Sequence, residues 1–232
     1  MERVTGPLGG ALAALLLAGA CGVAPAGAQA TFGPDVNAPT RALAAFARRL
    51  HDIRDYTTTV VTFEQLNDGS RVERRTYEYR TMNERGADVT IVEGPGKGTV
   101  AEWRGSDTVK VHLGGSLPQI QLTLPIDDPR VQSLRGDTLD MGTFSYDLRY
   151  MRSTPGTLAE APGPAIDGVA TTAVTLRVKD PAVAAVTKVV LYLSNATHLP
   201  VRRSQYVGST IVKTETFSNT KSDTGLGNSD VG

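Results

Sequence analysis

The chain reads as an α+β protein, mainly β: one large antiparallel sheet with a few helices. Three observations predict this. Stretch after stretch alternates apolar and polar side chains with a period of two. Turn signals rich in Gly, Asn and Asp separate those stretches. One segment carries a clear helical stripe. A strand that alternates has one dry face and one wet face. Many such strands in series make an antiparallel sheet whose apolar side must be covered by protein or by a ligand.

The elements follow in order. Residues 1–30 read as a secretory signal: Arg3 supplies positive charge, residues 8–20 an apolar run, and Ala28-Gln29-Ala30 small residues ahead of a cut. The apolar run is short and alanine-rich for a permanent membrane span, and no later segment approaches spanning length. Residues 31–39 form a linker. Thr40 can cap a helix from 41 to about 54, where Leu43, Phe46, Ala47, Leu50 and Ile53 share a face. Strands are expected over 56–66 and 71–82, joined at Asn67-Asp68-Gly69. Two more, 89–93 and 99–104, flank Gly94-Pro95-Gly96-Lys97-Gly98. Residues 108–113 and 117–124 follow, and 127–135 is loop by composition. Residues 137–151 are ambiguous: Phe144, Leu148 and Met151 would line a helix, and Gly142 weakens it. Residues 154–168, rich in Pro, Gly and Ala, read as loop. The last strands are 169–178, 187–194, 199–207 and 210–218. Residues 40–220 are thus one domain, and 221–232 a flexible tail.

Charge and cysteine usage narrow the function. The chain has 24 basic and 24 acidic residues. Removing Glu2 and Arg3 with the leader keeps the net charge at zero. Nothing favours nucleic acid or anionic lipid through bulk charge. Cys21 is the only cysteine, and it lies in the leader. Ala18-Gly19-Ala20-Cys21 is an acceptable lipoprotein box, so Cys21 is the lipidation candidate. It is otherwise discarded with the leader. The mature domain has no disulfide to staple it.

The chemical motifs are weak. Gly94 to Gly98 lacks the following helix of a phosphate loop and is explained by a tight turn between strands. His51 and Asp55 stand four apart, with no third ligand nearby to complete a metal site. His112 belongs to a polar strand face and His198 to a turn. No serine sits in a nucleophile elbow. No catalytic residue, metal or cofactor is expected. Tyr77, Tyr79 and Arg75 share a strand face, which fits a wall for a flat sugar or lipid headgroup or ordinary cross-strand packing.

The carboxyl-terminal strands carry a likeness. Leu191-Tyr192-Leu193-Ser194, Thr197-His198-Leu199-Pro200-Val201-Arg202, Tyr206 and Glu215-Thr216-Phe217 resemble the closing strands of the LolA/LolB-like lipoprotein-carrier superfamily. Glu93-Gly94-Pro95-Gly96-Lys97-Gly98 with Trp103-Arg104-Gly105 is similar to a branch of it with no assigned function. The resemblance implies a half-open antiparallel β-barrel of about eleven strands, with an amino-terminal helix. A helix-bearing lid would close its concave side. It also implies a periplasmic, non-catalytic carrier of a lipid or of lipoprotein acyl chains, acting as a monomer. A form anchored to the outer membrane through Cys21 is the alternative location. Two other functions stay open: a regulatory or assembly protein that binds an envelope protein, and an envelope enzyme on a lipid or glycan. The cavity lining is expected from Val61, Phe63, Val109, Val111, Leu113, Ile120, Leu122, Leu124, Val174, Leu176, Leu191 and Leu193. The lid is expected from Phe144, Leu148 and Met151.

Overall fold

The structure, a computed structural model, describes residues 35–82, 86–115, 119–182 and 185–226. The leader, Cys21, the first linker residues, the expected start of the strand at 117 and the end of the tail lie outside the described residues. Among the described residues, no helix is long and apolar enough to cross a membrane.

Helix α1 (Arg41–Asp52) comes first. The Thr40 hydroxyl accepts from the Leu43 amide at 3.3 Å and caps it. The Glu160 carboxylate accepts from the Ala42 amide at 2.8 Å, placing a negative charge at the positive end of the helix dipole. Leu43, Phe46 and Leu50, at helical spacing, are buried against the sheet. The helix stops at Asp52, so Asp55 is not on it. Asp55 is buried and accepts from the Thr224 amide and hydroxyl, both at 2.6 Å.

Eleven strands form one antiparallel sheet. The first six are β1 (Tyr56–Gln65), β2 (Val72–Met82), β3 (Gly86–Glu93), β4 (Val100–Trp103), β5 (Thr108–His112) and β6 (Gln121–Pro125). The last five are β7 (Gly156–Pro162), β8 (Thr171–Val178), β9 (Lys188–Ser194), β10 (Pro200–Val207) and β11 (Thr210–Ser222). Their order is β6-β5-β4-β3-β2-β1-β11-β10-β9-β8-β7. Two meanders therefore join through the β1–β11 pair, and β6 and β7 end at opposite edges. The sheet is a half-open barrel.

That order dictates what covers the sheet. The chain leaves β6 at one edge and must reach β7 at the other, ten strand spacings away. At about 4.8 Å per spacing the journey is about 50 Å along the sheet. Residues 126–155 make it across the concave face. They include a 3-10 turn (Leu139–Gly142) and helix α2 (Phe144–Ser153), capped by the Thr143 hydroxyl on the Tyr146 amide. The ambiguous segment is thus a short turn followed by a helix, with Gly142 ending the turn.

Two boundaries differ from the sequence reading. Strand β7 lies inside the stretch read as loop. It is an edge strand whose side chains are mostly exposed, so it needs little apolar patterning and shows none. Strand β11 runs past residue 220 to Ser222, and Thr224 is then held by Asp55. The first residues beyond 220 are thus tied to the sheet and to Asp55.

Candidate functional site

Residues 126–155 cover the concave face in two ways. The α2 part is packed solid. The Phe144 ring stacks on Tyr56 with centroids 4.4 Å apart, and the edges of Phe46 and Phe217 meet it at 6.5 and 5.3 Å. The Tyr56 hydroxyl accepts from the Phe144 amide at 2.9 Å. Phe144 and Met151 are completely enclosed, and Leu148 is half-buried against the same core. Phe144, Leu148 and Met151 thus stand on the helix that covers the concave face, where the lid is expected, and their side chains anchor α2 in the core beneath it.

The preceding stretch, residues 130–142, packs less tightly. A cavity of about 110 Å³ lies between it and strands β1–β5 and β11. One wall is apolar: Val89, Ile91, Ala101 and Val111 from the sheet, Val131 and Leu139 from the cover. Tyr77, Tyr79 and Arg75 stand on β2 in the same wall. Arg75 donates to the Tyr77 hydroxyl at 3.4 Å and pairs with Glu73 at 2.8 Å. Gly142 is needed where the cover crosses Tyr79, because a β-carbon there would run into the phenol hydroxyl.

The other wall is ionic. Inward positions of three neighbouring strands carry charges in register: Glu64 opposite Lys213, and Glu215 opposite Arg203. Lys213 donates to Glu64 at 2.8 Å, to Glu215 at 3.2 Å, and to Asp137 on the cover. Arg203 pairs with Glu215 and with Asp147 of α2. All of these but Asp137 are buried to 5 % side-chain exposure or less. Burial works against the charge on Lys213, but Asp137, Glu215 and Glu64 outweigh it and hold its proton on well above the usual range. Burial likewise opposes the Arg203 charge, and Asp147 and Glu215 overcome it. Asp147 goes the other way. Burial pushes it up to about 6, with Glu215 adding to the push and Arg203 opposing it.

The expected lining residues are spread over three environments. Val111 alone of them lines the cavity. Val109, Leu124, Val174, Leu176, Leu191 and Leu193 are buried core, and Leu113, Ile120 and Leu122 are half-buried. Leu193 also borders a separate polar groove beside the first turn of α1, with Glu160, Asn195 and His198. Val61 and Phe63 are corrected outright. Val61 is 48 % exposed on the convex face, and Phe63 lies there too, with the Arg74 guanidinium 5.2 Å over its ring. The pleat turns Val60, Thr62 and Glu64 inward instead.

Sequence reasoning missed the ionic wall. Glu64, Lys213, Glu215 and Arg203 sit at positions where a core strand was expected to be apolar. The available signal was the parity of Thr62 and Glu64 against Val60 on the same strand. Among the described residues, His112 is the one histidine that approaches a carboxylate, 3.5 Å from Glu102. Among the described residues, no His, Cys, Asp and Glu side chains gather as metal ligands.

No family model matches the chain, and no curated protein matches it. Solved structures of the expected architecture do. The lipoprotein LppX from Mycobacterium tuberculosis shares 16 % identity, with 82 % of this chain and 99 % of that one covered, at a TM-score of 0.46. An outer-membrane lipoprotein-sorting protein domain from Vibrio parahaemolyticus shares 14 %, covering 82 % and 95 %, at 0.40. A LolA-superfamily protein from Nitrosomonas europaea shares 13 %, covering 79 % and 94 %, at 0.37.

Proposed function

We propose that this is a non-catalytic binding or carrier protein of the cell envelope whose ligand is a lipid or a lipidated protein. The observation that carries this is the cavity. It is half apolar and half polar, and it lies under a cover that packs less tightly than the helix next to it. At about 110 Å³ it is smaller than the roughly 300 Å³ at which ligand pockets begin. A long chain therefore enters by displacing Val131 and Leu139, and takes their place against Val89, Ile91, Ala101 and Val111. Each buried methylene contributes about 0.8 kcal/mol, so a handful of carbons offsets the loss of those two side chains. Export by residues 1–30, with either a free amino terminus after Ala30 or a lipid on Cys21, puts the domain where such ligands are.

The test is native mass spectrometry of the protein purified from the envelope in which it is made. A bound lipid mass that is lost after Val111→Glu supports the reading. A ligand-free protein that also takes up no amphiphile in solution ends it.

A further inference from the structure

Arg75 stands on β2 in the wall of the cavity, opposite Thr62 of β1, and it is fixed from three sides. Its Nη1 donates to the Tyr77 hydroxyl at 3.4 Å, and its Nη2 pairs with Glu73 at 2.8 Å. The glycine turn lies against its stem: a β-carbon on Gly94 would come within 3.2 Å of the Arg75 Cγ. That leaves Nε, which is buried and has no hydrogen-bond partner. A buried donor left unpaired is costly, and a ligand oxygen that meets it recovers that cost. The donor is also preorganised, because the other two nitrogens already hold the guanidinium in place.

Charge does not decide what meets it. Glu73 is shared between Arg71, at 3.3 Å, and Arg75. The extra arginine there offsets the extra carboxylate of the ionic wall, where Lys213, Arg203 and Arg135 face four carboxylates. The surroundings of the cavity are therefore neutral, and what its wall offers is one N–H. The register places that N–H where the apolar wall stops. Tyr79 stands beside Val89 and Tyr77 beside Ile91, so Arg75 lies one step beyond the apolar run.

Resting on the ligand class proposed above, we propose that Arg75 reads the head of the ligand: its Nε–H donates to an ester carbonyl or an anionic oxygen of an amphiphile, and the cavity discriminates against a head that carries no acceptor. The chain that displaces Val131 and Leu139 lies along Val89 and Ile91, and its head oxygen meets Arg75 at the end of that run.

The experiment is titration calorimetry with three probes of equal chain length, below their micellar concentrations. They are a monoacylglycerol, an alkylsulfonate and an alkyltrimethylammonium, whose head has no acceptor. At least one oxygen-bearing probe is expected to bind about tenfold tighter than the ammonium, the usual worth of a hydrogen bond from a buried charged donor. The tighter of the two assigns the oxygen as uncharged or anionic. Arg75→Leu and Arg75→Lys are each expected to remove that gain by weakening the oxygen-bearing probe. The lysine keeps the charge and can still meet Glu73, but it has no N–H at the Nε position, so it separates the hydrogen bond from the charge. An ammonium that binds as tightly as both other probes overturns the inference, and so does a gain that survives in either variant. A weakening shared equally by all three probes overturns it too, since that is the mark of a purely structural arginine. If Arg75→Leu does not fold, Arg75→Lys decides. Failure of all three probes to bind refutes the ligand class itself, a different outcome from loss of selectivity.

Discussion

Two ends of one concave face are covered by one continuous segment, and they are built on opposite principles. Around Phe144 the contact is dry and aromatic. Around Lys213, on the neighbouring stretch, it is ionic, with a cavity beside it. The dry end gains from burial without geometric conditions. The ionic end is favourable only while every partner is present, because desolvating these charges costs about what their mutual attraction returns. The first suits a fixed anchor. The second suits a surface whose cover is to be exchanged for something else.

The widest test of that contrast removes one centre from each end. Phe144→Ala should cost about 4 kcal/mol, the usual scale for emptying an aromatic site, read as a lower denaturation midpoint in urea. Lys213→Met should cost about 3 kcal/mol near neutral pH, because three carboxylates lose their shared cation. The pH response should separate them. Acid should restore part of the Lys213→Met loss, since the orphaned carboxylates take up protons. It should not restore Phe144→Ala. Equal losses with the same pH profile would mean that the two ends are held alike.

A smaller effect of opposite sign is expected at Asp147. Its folded pKa, about 6, lies above its ordinary value of 3.8. A raised folded pKa gives stability that is fully present below the unfolded value and is lost as pH rises through the folded one. This residue therefore makes the fold more stable between about pH 6 and pH 4 than at pH 8. Asp147→Asn should raise stability near pH 8 by about 2 kcal/mol and flatten that part of the profile. Thermal unfolding at a series of pH values reads both. A variant less stable than the parent at pH 8 would make the Arg203–Asp147 pair a net stabiliser.

The two ends also differ in how far they could be read from residues alone. Apolar stretches between turn residues marked ten of the eleven strands; at β5 the inner Val109 and Val111 alternate with polar neighbours, whereas β9 is apolar on both faces. This signal failed at β7, an edge strand with almost nothing to bury. It could not see the ionic wall, because a buried charge looks like a surface charge until its partner is placed. Glu64 and Lys213 are far apart in the chain and meet only through the β1–β11 pairing that joins the two meanders. Tyr77, Tyr79 and Arg75 were legible as a shared face, though not as a cavity wall until residues 130–142 crossed above them.

The smallest expected effect tests the parity of β1. Its centre reads Val60-Val61-Thr62-Phe63, so apolar residues fall on both faces and periodicity alone leaves the choice open. The pleat puts Val60 in the core and Val61 outside, 2 % and 48 % exposed. Val61→Thr should then shift stability by less than about 0.5 kcal/mol, as exposed substitutions do, with amphiphile binding unchanged. Val60→Thr places a hydroxyl in the dry core opposite Phe217 and should cost about 1–3 kcal/mol. If the order were reversed, β1 would be pleated the other way, and Glu64 would leave Lys213 for the solvent. The ionic wall therefore depends on the same parity that a single valine pair can test.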